Sequence, residues 1–216
     1  GIASDVIEGH FLNIISNTSV SESVYNCFRS AHLNVVGMPI TVLALADAIL
    51  TEPEKRSGCA FVDMGAETTS VAIFKNNILR HFAVIPLGGA NVNSDLCTLQ
   101  IEDSEAEQLK RKYATAYSNE EEDKHEPVTL GDGRTVKDEE FNGLVEARME
   151  EIILNIKHQI ALSKYDDSKL VSGIVVTGGA ANMKNIDKAF AAFTDFRKVR
   201  FVKNTRLQTR LESKPS

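Results

Sequence analysis

The stretch Cys59-Ala-Phe-Val-Asp-Met-Gly-Ala-Glu-Thr-Thr-Ser-Val-Ala-Ile-Phe74 constrains this chain more than any other. An apolar run (Cys59 to Val62), a small polar turn (Asp63 to Thr69) and a second apolar run (Val71 to Phe74) predict a buried strand, a tight turn and another strand. The turn carries a carboxylate at the strand end, a glycine shortly after it and two adjacent hydroxyls. Such a turn, with N–H groups and hydroxyls aimed at one point, has the chemistry of an anion nest. Asp63 beside it suits a hydrated Mg²⁺ that accompanies phosphates. A plain hairpin with a Thr-Thr strand start fits the same residues.

A second stretch has the same grammar. Val171 to Thr177 reads as a strand, Gly178-Gly179 as a turn that permits close backbone approach or positive φ, and a helix is predicted from near Ala181. Its free N–H groups would then face a ligand at the turn. Two strand-and-turn units about a hundred residues apart, with helices between, strengthen the phosphate reading and fit an α/β fold.

The patterns hydrophobic–Asp–x–Gly–x–x–Thr–Thr at Asp63 to Thr69 and hydrophobic–Thr–Gly–Gly at Val176 to Gly179 resemble the second phosphate motif and the adenosine motif of the actin-like ATPase superfamily. Three further segments narrow the resemblance to the bacterial cell-division FtsA family: Leu79 to Gly89 with its Ile-Pro-Leu-Gly-Gly, Glu105 to Tyr113, and Glu146 to Ile153 with its Glu-Ala-Arg. The likeness runs from about Ile15 to Val202. It implies an actin-like (ribonuclease H-like) mixed sheet flanked by helices, with a small α+β insertion, in which the strands ending at Asp63 and Val176 share one sheet and their turns face one cleft. Residues 1–57 would be a remnant of first-half subdomains, 58–99 and 166–216 a second-half core, and 100–165 the insertion.

The resemblance also implies a site. Asp63 would be the catalytic water orienter and outer-shell metal ligand. Gly65, Thr68 and Thr69 would face the phosphates of ATP with Mg²⁺, Gly178, Gly179 and Ala180 would line the nucleoside, and Glu107, Lys110 and Arg111 would close it. The implied partners are the C-terminal tail of the tubulin-like protein FtsZ, on residues 100–165, further FtsA subunits in a filament, and other divisome proteins. The implied place is cytoplasmic, at the inner membrane face of the division site, with membrane contact through a segment not seen in this chain. Three departures bear on this. Ala66 and Glu67 stand where glycines are usual, Ser70 where an acid is usual, and Asn185 where a glycine is usual. Glu67 would repel a triphosphate, whereas asparagine tolerates the left-handed conformation. No first-half Asp-x-Gly turn precedes Gly58, so the 216-residue chain is expected to be inactive and free of nucleotide. A nucleotide-free scaffold, a chaperone-type ATPase and a sugar kinase are the alternatives.

The rest of the chain sets the frame. Strands are expected at Asp5–Gly9, Phe11–Ile15 and Leu33–Val36. Helices are expected at Ser19–His32 under a serine cap, at Pro39–Leu50, and from Leu87–Asn91 to about Leu99. Thr51–Gly58 is read as a polar boundary, and Ile78–Ile85 as a strand after an Asn76-Asn77 turn. Ser104 with Glu107 has capping-box spacing, and Glu107, Lys110 and Arg111 fall on one helix side, which a merely solvated face would also explain. Asn119–Lys124 is a charged loop. A Gly-Asp-Gly hairpin spans Pro127–Val136. Asp138 caps a long helix, Glu139–Lys164, whose stripe Phe141, Leu144, Val145, Met149, Ile152, Ile153, Ile156 and Ile160 predicts core. A last helix through Ile186, Ala189, Phe190 and Phe193, a strand Val199–Val202 and a polar tail from Asn204 complete it.

A net charge of −6 argues against a surface-wide nucleic-acid footprint. The three cysteines, Cys27, Cys59 and Cys97, lack metal or redox spacing and are expected to be buried thiols. No run reaches the roughly 18–20 apolar residues of a membrane helix. Hydrolase elbows and paired metal-binding histidines are likewise missing from the sequence.

Overall fold

The computed structural model describes residues 8–9, 11–15, 17–118, 126–166 and 168–202. Its centre is a five-stranded mixed sheet of β1 (Cys59–Met64), β2 (Thr69–Lys75), β3 (Ile78–Ile85), β6 (Ile174–Thr177) and β7 (Val199–Phe201), in the order β3-β2-β1-β6-β7. β1 pairs antiparallel with β2 and parallel with β6. β1 therefore lies in the middle, and its near-continuous apolar run follows from burial on both faces. The β2–β3 turn places Asn76 and Asn77 at φ 56° and 61°, the left-handed pair that a tight hairpin requires and asparagine tolerates.

Side chains alternate across the sheet. One face carries Ala60, Val62, Met64, Val71, Ile73, Ile174 and Val176, in one core with α4 (Gly89–Leu96), α6 (Asp138–Leu162) and α7 (Ile186–Phe193), and with α5 (Asp103–Tyr113) packed on α4. The α6 stripe is buried as its period predicts, except that Leu144 is only partly so. Although α6 falls within the 100–165 segment, it packs on the main sheet together with α4. Of that segment, α5 and the short hairpin β4 (Val128–Thr129) and β5 (Thr135–Val136) lie beyond the sheet pairing. The other face carries Cys59, Phe61, Ala72, Phe74 and Val175 under α2 (Thr41–Ile49).

The N-terminal part differs from its sequence reading. Residues 11–15 and 33–36 form no strand, because an apolar run becomes a strand only when a neighbour completes its hydrogen bonds. Phe11, Ile15 and Val36 are strongly exposed. Helix α1 (Thr18–Ser30) is capped by Asn17, not by a serine, and its apolar positions are not buried. The Asp5–Gly9 expectation lies mostly outside the described residues, as do Asn119–Lys124 and the tail after Val202. Thr51–Gly58 holds a short helix, α3 (Glu52–Ser57), under a Thr51–Glu54 capping box. Of the cysteines, Cys59 alone is buried, and burial pushes its thiol up to about 12; Cys27 is exposed and Cys97 half-buried. Among the described residues no helix is long and apolar enough to cross a membrane.

Candidate functional site

Because β1 and β6 are parallel neighbours, their C-terminal turns leave the same edge of the sheet. Asp63 stands opposite Ser70 on β2 and opposite Thr177 on β6. Strand alternation therefore puts these three polar residues in a row on one face. Burial raises the Asp63 carboxyl above its ordinary value, which is the environment that a nearby cation would relieve.

The Gly65–Thr68 turn is held by main-chain bonds. Gly65 N–H donates to Thr68 O at 2.9 Å, Gly89 N–H to Gly65 O at 3.0 Å and Ala90 N–H to Ala66 O at 2.7 Å. The first turn of α4 thus fastens the β1–β2 connection. Gly88 is required there, since a methyl group would overlap the Ala66 carbonyl and lie 2.7 Å from Gly65 O. The two threonines diverge rather than aiming at one point. Thr68 is exposed, whereas Thr69 is buried and its hydroxyl donates to Leu87 O at 2.8 Å. Neither Ala66 nor Glu67 takes a positive φ, so the glycines usual at these positions are not demanded by this backbone. Glu67 is exposed on the turn.

Across from it, Gly178 has φ 100°, and a side chain there would overlap Met64 O and approach Asp63 Oδ1 to 2.7 Å. Only glycine combines that conformation with so close a backbone approach. The helix expected from Ala181 begins later. A single 3-10 turn spans Ala180–Asn182, and α7 starts at Ile186 after Asn185 in the left-handed conformation. The free N–H groups predicted to face a ligand therefore belong to this short turn rather than to α7.

The α5 residues meet the same edge. Lys110 Nζ donates to Gly89 O at 2.9 Å and pairs with Glu107 at 2.6 Å. Arg111 Nε bonds Glu107 at 2.6 Å and Asn93 Nδ2 does so at 3.1 Å. Burial alone would raise the Glu107 carboxyl, but hydrogen bonds from Lys110, Arg111 and Asn93 outweigh it and hold the group at about 2. Glu107 does not cap its helix. Glu102 occupies the cap position and Ser104 sits inside the first turn. A Cβ on Gly89 would lie 3.5 Å from Ala180 Cβ and 3.6 Å from Lys110 Nζ. The β1–β2 turn, α4, α5 and the Gly178 segment thus converge. Sequence reading missed Asn93, a buried asparagine inside an otherwise apolar helix face, and Arg148. The latter bonds Asp95 at 2.7 and 2.9 Å, also pairs with Glu151, and so joins α6 to α4.

A mixed sheet in this order, with two adjacent turns on one edge, defines the actin-like class. MreB5 of Spiroplasma citri bound to ADP shares the fold, with a TM-score of 0.68 at 15% identity over 92% of this chain and 69% of that one. A PilM-PilN type IV pilus biogenesis complex does so with a TM-score of 0.63 at 15% identity, over 91% and 52%. The family model for cell division protein FtsA matches residues 60–215, and the chain belongs to that family. It is 30% identical to cell division protein FtsA of Porphyromonas gingivalis over 86% of this chain and 39% of the relative. The Pseudomonas aeruginosa protein is 33% identical over 77% and 41%. The chain therefore spans about two fifths of the length of these curated relatives.

Proposed function

We propose that this chain supplies one wall of an ATP site in an actin-like cell-division protein. The observation that carries this reading is the shared edge. Asp63 and the Gly65–Thr68 turn lie beside Gly178, whose glycine backbone packs directly against the Met64 carbonyl and the Asp63 carboxylate. Asp63 would orient a water or hold the hydration shell of Mg²⁺, and Gly65 and Thr68 would border the phosphates. Thr69 would fix the turn through Leu87 rather than touch the ligand. Gly178, Gly179 and Ala180 would border the nucleoside, with Lys110 and Arg111 closing it and Glu107 holding both cations in place. The residues fit such a group on the Asp63 and Gly178 side. Mg²⁺ with ATP would supply a polarised phosphoryl group, and the chain's part is to position it.

Membership of the FtsA family supports wider roles for the whole protein: self-association in filaments, contact with the FtsZ tail and other divisome proteins, and work at the inner membrane face of the division site. Residues 100–165 are the surface proposed for the FtsZ tail. Deleting 115–135 should abolish that binding, and unchanged binding would point to another surface. Glu67 favours a second reading. An exposed carboxylate on the phosphate-side turn suits a scaffold that works through protein contacts without nucleotide.

The deciding test compares Asp63→Ala with Ser70→Ala in the full-length protein. The two positions face each other across β1 and β2, so both changes perturb the same patch. Mg-ATP binding or turnover should fall more for Asp63→Ala. Equal losses would count against the ATP reading.

A further inference from the structure

Asn185 is held in the left-handed conformation at φ 57° and ψ 23°, immediately after the Gly178–Lys184 segment. Its carboxamide points back toward the end of α5. Nδ2 donates to Thr115 Oγ1 at 3.0 Å and to Tyr117 O at 3.0 Å. Thr115 is buried, and its hydroxyl donates to Tyr117 O at 2.9 Å. The main chain closes the same seam, with Ala116 N–H donating to Lys184 O at 2.8 Å in an isolated parallel bridge between Thr115 and Lys184. Thr115 N–H donates to Asn142 Oδ1 at 2.9 Å, and Asn142 Nδ2 to Asp138 at 2.8 Å. One run of amide and hydroxyl bonds thus joins the start of α7, the end of α5 and the start of α6.

We propose that Asn185 is a positioning residue, whose carboxamide latches the α5 wall to the Gly178–Lys184 segment and so fixes the spacing between them. α5 carries Glu107, Lys110 and Arg111, and the segment carries Gly178, Gly179 and Ala180. The last turn of α5 is fastened through Lys110 to Gly89 of α4, and the chain just beyond the helix through Thr115 to Asn185, so the gap between these groups cannot widen at this end without breaking the Asn185 tie. The consequence for ligand binding rests on the ATP reading. The latch itself does not.

Two variants isolate the carboxamide. Asn185→Gly keeps the left-handed backbone, which glycine adopts without strain, and deletes both donors. Asn185→Asp keeps the shape but replaces the donor nitrogen with an acceptor. Amide hydrogen exchange would be followed residue by residue in the 216-residue chain, with Val62 in β1 as the remote reference. Both variants should speed exchange at Thr115 and Ala116 by about tenfold or more, the scale of losing one to two net hydrogen bonds. Val62 should exchange as before. Unchanged rates at Thr115 and Ala116, a uniform acceleration that includes Val62, or a wild-type pattern in Asn185→Asp would each overturn the latch. A parallel titration of the full-length protein with Mg-ADP keeps the two ideas apart. Accelerated exchange at the seam while the full-length protein binds no nucleotide sustains the latch and removes the ATP reading. Nucleotide binding without the exchange effect does the reverse.

Discussion

The Gly65–Thr68 turn and the Gly178–Lys184 segment share one edge of the sheet, yet they are held by different means. The first is fastened by main-chain groups, its Gly65 and Ala66 carbonyls receiving the N–H groups of Gly89 and Ala90. The second adds side-chain ties to the main-chain bonds that Asn182, Met183 and Ala116 make to Gly179 O, Ala180 O and Lys184 O. Asn182 Nδ2 bonds the carbonyls of Gly178 and Gly179 at 3.3 Å each, and Asn185 reaches Thr115 and Tyr117. A turn tied by its backbone tolerates changes of side chain, so Ala66 and Glu67 can stand there at ordinary φ. A segment tied by carboxamides depends on which residues it carries.

The strongest way to break this comparison is at the glycines Gly178 and Gly88, each packed too closely on its neighbours for a side chain. Gly178→Ala forces a methyl group onto Met64 O at φ 100°. It should cost roughly 3 kcal/mol or more, lowering the midpoint of thermal unfolding by several degrees. Wild-type melting would show that the segment shifts freely. Gly88→Ala overlaps the Ala66 carbonyl at an ordinary φ, so strain comes from contact only, and a smaller loss of about 1–3 kcal/mol is expected in a denaturant titration. Thr69→Val removes the buried hydroxyl bond to Leu87 O while keeping the shape, for about 1 kcal/mol. A larger loss would mean that the turn depends on side chains more than its main-chain bonds imply.

Acid sharpens the comparison further. The Glu107 carboxyl sits at about 2 against an ordinary value of 4.5. Its contribution to stability is therefore complete above about pH 4.5 and is lost as pH falls toward about 2. Glu107→Gln should flatten that part of the stability–pH curve, and an unchanged curve would mean that the Lys110–Arg111–Asn93 cluster does not hold the carboxylate. Glu67→Ala should have the smallest effect on folding, within about 0.5 kcal/mol, because Glu67 is exposed and unstrained. In the full-length protein the same change should tighten Mg-ATP binding. Weaker binding would show that Glu67 helps the ligand rather than repelling it.

What was legible in the sequence follows from how local the determinants are. Cys59 to Phe74 and Ile78 to Ile85 were readable because β1 is buried on both faces and the Asn76-Asn77 turn fixes the register of its neighbours. The α6 stripe was readable from its period. Phe11–Ile15 and Leu33–Val36 have the composition of strands but no partner strand among the described residues, and no periodicity reveals that. The Ser104–Glu107 spacing was misleading because Lys110, Arg111 and Asn93 compete for the carboxylate that a capping box would use. The start of α7 was misplaced for a related reason. Asn185 adopts a left-handed conformation stabilised by Thr115, a residue 70 positions away, and short-range rules carry no trace of it. At the candidate site, Asp63 and the two glycine turns were visible as motifs, whereas the joining residues Asn93, Arg148 and Asn185 act through distant contacts.

The central claim is that these two differently held turns form one nucleotide-facing edge. Amide chemical shifts of the full-length protein, titrated with Mg-ADP up to the limit of its solubility, test it most directly. Even a weak complex should perturb Gly65–Thr68 and Gly178–Ala180 together, with the same dissociation constant at both turns. Shifts confined to the cavity of about 540 Å³ lined by Asp166, Leu170, Gly173 and Arg197, or no shifts at either turn, would contradict it.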